Sequence, residues 1–223
     1  MVFHSDRGHV EKLARSVAGG AARTSGATAS LHSLNELTDP LWAALGAADA
    51  IILGCPTYMG GPSAVFKRFA EASLPIWARR GWTAKVAAGF THSQAMSGDK
   101  LNTLEYFSIL AAQHGMIWVN LDLLPGWCRE EASIDDLNRL GSWLGVMSQS
   151  NGDGPIETNP RTGDLATARH LGALVAATTR ALAVGRAHIY ADDGELVAAA
   201  DTTSRPLRSP GASGDRSTPP TPW

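Results

Sequence analysis

Ala50-Ile51-Ile52-Leu53-Gly54-Cys55-Pro56-Thr57-Tyr58-Met59-Gly60-Gly61-Pro62-Ser63 is an unbroken apolar run that passes into a glycine-rich loop. The run is too short for a helix and shows no polar alternation, the pattern of a strand buried on both faces of a parallel sheet. Working outward, Val2-Phe3, Val86-Ala87-Ala88-Gly89-Phe90 and Ile117-Trp118-Val119 have the same character, and Thr28 to Leu34 is a weaker candidate. Segments of helical period lie between them. Val10, Leu13, Ala14, Val17 and Ala18 share one stripe, as do Val65, Phe66, Phe69 and Ala70. Leu101, Leu104, Ser108 and Ala111 form another, and Ala168, Leu171, Gly172, Val175, Thr179 and Leu182 a last one. Leu41 to Ala47, after Asp39-Pro40, reads as a short helix. The alternation predicts an α/β fold, a doubly wound parallel sheet with helices on both faces.

Two stretches break the regularity. Leu121 to Gly163 contains Pro125-Gly126, a weak helical pattern near Ile134 to Leu144 and the polar run Ser148 to Gly163; it reads as an insertion before the last helix. We expect one domain over residues 1–185, then an extension over 186–203 with a possible hairpin at Asp193-Gly194. The Pro/Ser/Gly-rich residues 204–223 cannot bury enough apolar surface to fold, and a disordered tail is expected there.

The 223 residues carry 19 Lys and Arg against 21 Asp and Glu, a net charge of −2. That balance offers no cationic excess for a phosphate polymer or an anionic bilayer, so neither nucleic acid nor membrane is an expected partner. No run approaches the roughly 18 apolar residues of a spanning helix, and the N-terminus lacks a secretory pattern. With only Cys55 and Cys128, far apart and outside any CxxC, a reducing and cytoplasmic setting is the expectation.

In such a sheet, ligands bind at the carboxyl ends of the strands. Three loops belong there. His4-Ser5-Asp6-Arg7-Gly8-His9-Val10 joins the first strand to the first helix, where backbone N–H groups, a hydroxyl and the positive helix end suit a phosphate. A helix dipole supplies only about 0.3–1 kcal/mol, so several amides and Ser5 must converge; Ser5 is equally suited to capping the helix. Neither GxxxxGK[ST] nor GxGxxG is present. The second loop is Gly54 to Ser63, whose glycines let backbone approach a flat ligand, with Tyr58 and Met59 as apolar surface and Thr57 as a polar group. The third, Thr91-His92-Ser93-Gln94-Ala95-Met96-Ser97-Gly98-Asp99-Lys100, is polar and is either a further wall or a plain solvent loop. A phosphate, a ribityl chain and a planar heterocycle together would fit all three, which suggests flavin mononucleotide.

Ser5-Asp6-Arg7-Gly8-His9-Val10, Gly54-Cys55-Pro56-Thr57-Tyr58-Met59-Gly60-Gly61 followed by Phe66-Lys67-Arg68-Phe69, Gln113-His114-Gly115-Met116, and Gly163-Asp164-Leu165 stand in an order that resembles a known family. It is that of the flavodoxin-like NAD(P)H:quinone oxidoreductases of the Trp-repressor-binding-protein A type and their NADPH-dependent FMN reductase relatives. The resemblance covers roughly residues 2–183 and implies a flavodoxin-like sheet of five strands in the order 2-1-3-4-5, bound FMN, and a homodimer or homotetramer. It implies that Ser5, Arg7, Gly8, His9 and Val10 hold the phosphate. Pro56, Thr57, Tyr58, Met59, Gly60 and Gly61 would line the isoalloxazine, with Thr91, His92 and Ser93 on its pyrimidine side and His114 near the ring as the catalytic residue. Two departures stand out. Tyr58 occupies a position where many quinone reductases carry Arg, and the first strand has fewer residues ahead of its loop than the family usually shows, consistent with a start placed too late.

The implied reaction passes hydride from NAD(P)H through flavin N5 to a quinone or related planar acceptor, in ping-pong fashion because both substrates must use one cavity. His114 would stabilise the quinone oxygen, or else interact only with helix carbonyls. The competing account is a flavodoxin-type electron carrier, although carriers of that kind are usually strongly acidic. The histidines show no ligand spacing for a metal, and no GxSxG elbow follows a strand.

Overall fold

The computed structural model describes residues 1–152 and 154–189, the side chains of 184–189 excepted. Its contacts divide the chain into Met1–Ala183 and Val184–Trp223. The expected hairpin and the expected tail lie outside the described residues.

The elements run β1 (Val2–Phe3), α1 (His9–Ala21), β2 (His32–Ser33), α2 (Asp39–Ala47), β3 (Ala50–Tyr58), β4 (Gly61–Pro62), α3 (Ala64–Ala72) and α4 (Leu74–Ala78). Then follow β5 (Val86–Ser93), α5 (Lys100–Gln113), β6 (Ile117–Trp118), β7 (Val146–Gln149) and α6 (Thr162–Ile189). The sheet order is β2-β1-β3-β5-β6, every pair parallel. Short β4 folds back antiparallel on β3. This is the flavodoxin-like doubly wound arrangement that the alternation and the resemblance lead one to expect.

Alternation along β3 explains why its sequence is apolar throughout. Ile51, Leu53 and Cys55 enter one core layer, which also takes Phe66, Phe69, Leu104 and Phe107. Ile52 faces the other, with Val10, Leu13, Val17, Ala168, Leu171 and Val175. Each buried aromatic or aliphatic side chain of this kind contributes about 1.5–3 kcal/mol. Helices α1 and α6 cover the second layer and approach so closely that a Cβ on Gly20 would lie 1.8 Å from Arg169 O, and one on Gly172 1.9 Å from Val17 O. Only glycine fits at that crossing.

Three expectations need correction. The fifth strand position is filled by two segments: β6 pairs with Val86 and Ala87, and β7 pairs with Phe90 through Ser93. The insertion therefore interrupts that strand and does not follow it, and the polar run read as starting at Ser148 begins inside β7. Ile134 to Leu144 is not a helix; Asn138 and Gly141 adopt φ of 49° and 68°. Asn138 is buried and bonds to Leu123 O, Ser142 O and Ser142 N, so its side chain substitutes for regular backbone pairing. On α5, Leu101 is exposed and the buried stripe is Lys100, Thr103, Leu104, Phe107, Leu110 and Ala111, rotated because a charged residue is buried at its start.

Candidate functional site

At the carboxyl edge of the sheet lies a cavity of about 620 Å³, within the range of about 300–1,000 Å³ usual for small-molecule sites. Ser5, Arg7, His9, Val10, Pro56, Thr57, Tyr58, Met59, Gly60, His92 and Ser93 line it, together with Asp6, Gln94, Ala95, Gly98, Ser150, Asn151 and Gly152. All three loops singled out from the sequence meet there, and a fourth, after β7, joins them.

The first loop is set by its attachments. His4 N bonds to Gly54 O at 3.0 Å, fixing the end of β1 against β3. Gly8, at φ 83°, turns the chain into α1 without a side-chain cap of its own. Ser5 Oγ accepts from Glu11 N at 3.2 Å, so the capping role is realised, from outside the helix. The N–H groups of His9 and Val10 have no partner within α1 and remain free for an anion.

The second loop is a tight hairpin. Tyr58 pairs with Gly61 across β3 and β4, and Met59 and Gly60 between them both have positive φ, 48° and 79°. That is the backbone of a primed turn. It projects the Met59 side chain wholly into solvent at the cavity mouth. Thr57 and Thr91 face inward: Thr91 Oγ1 donates to Cys55 O at 2.7 Å, so Thr57 Oγ1 donates to Thr91 at 2.8 Å and accepts from Thr103. Thr57 therefore offers its backbone to the cavity.

Side chains also bridge the loops. His4 Nδ1 lies 2.8 Å from Ser63 Oγ. Its Nε2 donates to Asp6 Oδ1 at 2.9 Å, and Tyr58 donates its hydroxyl to Asp6 Oδ2. Burial and the adjacent carboxylate push the Tyr58 phenol above its ordinary pKa. On the opposite wall, His92 stacks on His9 with centroids 4.7 Å apart and bonds to Ser148 Oγ and Ser150 Oγ. Burial, reinforced by His9, Lys100 and Arg139, lowers the His92 pKa to about 3. The imidazole is neutral, and both ring nitrogens are committed to holding β7 and its loop.

Four expected site residues do not line the cavity. Gly8 and Gly61 shape its loops through their backbone. Thr91, fully buried, sits one layer behind Thr57. His114 stands apart from this cavity: it caps the far end of α5, a helix of 14 residues, so that about 21 Å of helix at 1.5 Å per residue separates it from the cavity edge. There its Nε2 meets Ser73 Oγ at 2.9 Å and its ring packs on Trp82. A histidine after a helix reads the same whether it stabilises that end or serves a site.

The residues that sequence reasoning missed are the bridging ones. Asp6, His4 and Ser63 are far apart or unremarkable in sequence, and Ser150 to Gly152 lie in the polar stretch whose composition reads as an insertion. Val146, Met147, Ser148 and Gln149 alternate in burial, but their residue types run apolar, apolar, polar, polar, so the sequence carried no period-2 signal of this strand. Among the described residues no group of His, Cys, Asp and Glu could hold a metal ion, and no helix is long and apolar enough to cross a membrane.

Comparison with known proteins follows the same lines. The family model described as NADPH-dependent FMN reductase matches residues 5–123. Flavodoxin FldP of Pseudomonas aeruginosa is 37% identical over 176 residues, 79% of this chain and 93% of that protein. An NAD(P)H dehydrogenase (quinone) of Geobacter metallireducens is 30% identical over 195 residues, 78% of this chain and 93% of its own. Among solved structures, a flavodoxin, WrbA-like protein from Agrobacterium tumefaciens is 42% identical, with a TM-score of 0.64 over 81% of this chain and 95% of that one.

Proposed function

This chain belongs to the NADPH-dependent FMN reductase family, and we propose that it is an FMN-dependent oxidoreductase that carries hydride from NAD(P)H to a quinone or related planar acceptor. The observation that carries the reading is the convergence of the phosphate-suited first loop, the apolar hairpin and the His92–Ser93 wall on one cavity. The residues fit the cofactor. Gly8 leaves the loop backbone bare, and the amides of His9 and Val10, with Ser5 and Arg7, supply donors for a phosphate. Pro56, Tyr58, Met59 and the backbone of Thr57, Gly60 and Gly61 offer a flat, largely apolar face for the ring system.

Bound FMN supplies the two-electron chemistry. The chain's residues bind and orient it: the first loop anchors one end, the hairpin and the Ser93 wall fix the plane, and the Tyr58–Asp6 bridge sets the distance between them. No dinucleotide fingerprint exists elsewhere in the sequence, so nicotinamide and acceptor would share the open side at Met59, giving ping-pong kinetics. Exposed Leu74 and Trp77 on α4 support a homo-oligomer. Anaerobic mixing of the purified yellow protein with NADPH or NADH tests the reading: rapid bleaching, followed by recolouring with quinone and parallel double-reciprocal plots, is the expected result.

The 37% identity to a protein named flavodoxin favours a second reading, a one-electron carrier. A carrier would bleach with a reductase partner and not with nicotinamide alone. The net charge of −2 gives little of the acidic docking field that such a role uses.

A further inference from the structure

Lys100 is fully buried, and three features of its position oppose its charge. It has left water, it opens α5, whose N-terminus is already positive, and Arg139, another buried cation, lies nearby. An uncharged side chain would be cheaper at this position on all three counts. The compensation is specific: the ammonium donates to Ser93 Oγ at 2.8 Å, Ala95 O at 2.7 Å and Met96 O at 2.9 Å. Three N–H groups meet three acceptors, and the loop closes so tightly on them that a Cβ at Gly98 would lie 2.1 Å from Ser93 Oγ. Ser93 and Ala95 are wall residues of the cavity.

The charge balance behind that wall is uneven. Arg139 is paired with buried Asp164 at 2.7 Å; Asp164 also accepts from Gln149 N. His92, on β5, is neutral, and Asp99 is exposed to solvent. Asp164 on α6 faces both cations but neutralises only one of them. Lys100 therefore leaves one positive charge, shielded from water, directly behind Ser93 and Ala95.

We propose that Lys100 is a positioning residue of the cofactor site, shaping the Ser93–Met96 wall and favouring the more negatively charged, reduced state of FMN through its uncompensated charge. This rests on the FMN reading above. An ammonium a residue's length from the cavity acts through a medium far less polar than water, which makes about a tenfold preference reasonable.

The test compares FMN bound to the wild-type protein and to Lys100→Met from pH 6.5 to 9.5, measuring the affinity for oxidised FMN and the midpoint potential. Expected at pH 7 is weaker binding of both forms by Lys100→Met, because the wall loosens, with the reduced form losing about tenfold more than the oxidised one, a midpoint lower by about 30 mV for a two-electron couple. Burial lowers the Lys100 pKa to about 8, so the wild-type advantage should fade above pH 8, while the variant shows no corresponding step. Equal potentials and parallel pH profiles in two FMN-binding proteins would overturn the role of Lys100 alone. If Lys100→Met does not fold, the wild-type profile decides: a step near pH 8 supports the role and a profile without one overturns it. Failure of the wild-type protein to bind FMN would instead overturn the parent reading along with this one.

Discussion

Tyr58 donates its hydroxyl to Asp6 Oδ2 at 3.1 Å, joining the hairpin after β3 to the loop after β1 across the mouth of the cavity. The bridge places a carboxylate inside a loop otherwise suited to an anion. Its two oxygens are occupied by Tyr58 and His4, which moderates the repulsion without removing the charge. Asp6→Asn keeps an acceptor for His4 and deletes the charge. It should bind FMN about three- to tenfold more tightly at low salt, with the gain shrinking as ionic strength rises. Titration at two salt concentrations checks this, and unchanged or weaker binding would show that the carboxylate matters for geometry alone.

Gly8 stands at φ 83°, and a Cβ there would lie 3.5 Å from the Ile156 side chain. Gly8→Val puts a β-branched residue into a left-handed conformation, at a cost of about 1–2 kcal/mol, and crowds the loop. FMN affinity should fall at least tenfold while the unfolding midpoint moves only modestly. Full FMN affinity in this variant would remove the first loop from the binding site.

The stacked histidines set an acid limit on stability. Burial lowers the pKa of His9 and of His92, the latter to about 3. The unfolded chain then binds protons that the folded state refuses, so stability is full above about pH 6.5 and is lost as pH falls below it. For His92 the loss continues down to about pH 3. Urea midpoints at pH 7 and pH 5 should differ, and His92→Gln should narrow the difference. An equal difference in wild type and variant would assign the acid sensitivity to other groups.

Much of the fold was legible because parallel strands buried on both faces leave apolar runs such as Ala50 to Leu53 that nothing else explains. The limits came from polar residues within strands. Thr57 donates to Thr91, which donates to Cys55 O, so β3 and β5 extend through stretches that read as loop. β7 was hidden for the same reason, with Ser148 bonded to His92. The three cavity loops were visible from position and composition. The Tyr58–Asp6 and His4–Ser63 bridges were not, since they depend on side-chain directions across 52 and 59 residues of sequence. His114 shows the converse: a motif match fixed its place in the chain, while the length of α5 put it at the other edge of the sheet.

Among the described residues, those lining the cavity all lie within residues 5–152. Truncation after Thr203 should accordingly leave both FMN content and affinity unchanged. A truncated protein that purifies colourless would assign those last residues a part in holding the cofactor.

Fluorescence or calorimetric titration of cofactor-free protein with FMN asks whether this cavity holds the cofactor. Expected is saturable one-to-one binding with Kd at or below about 1 µM, a binding free energy of about −8 kcal/mol, weakened at least tenfold in Gly8→Val. No saturable binding at concentrations far above that value would contradict it.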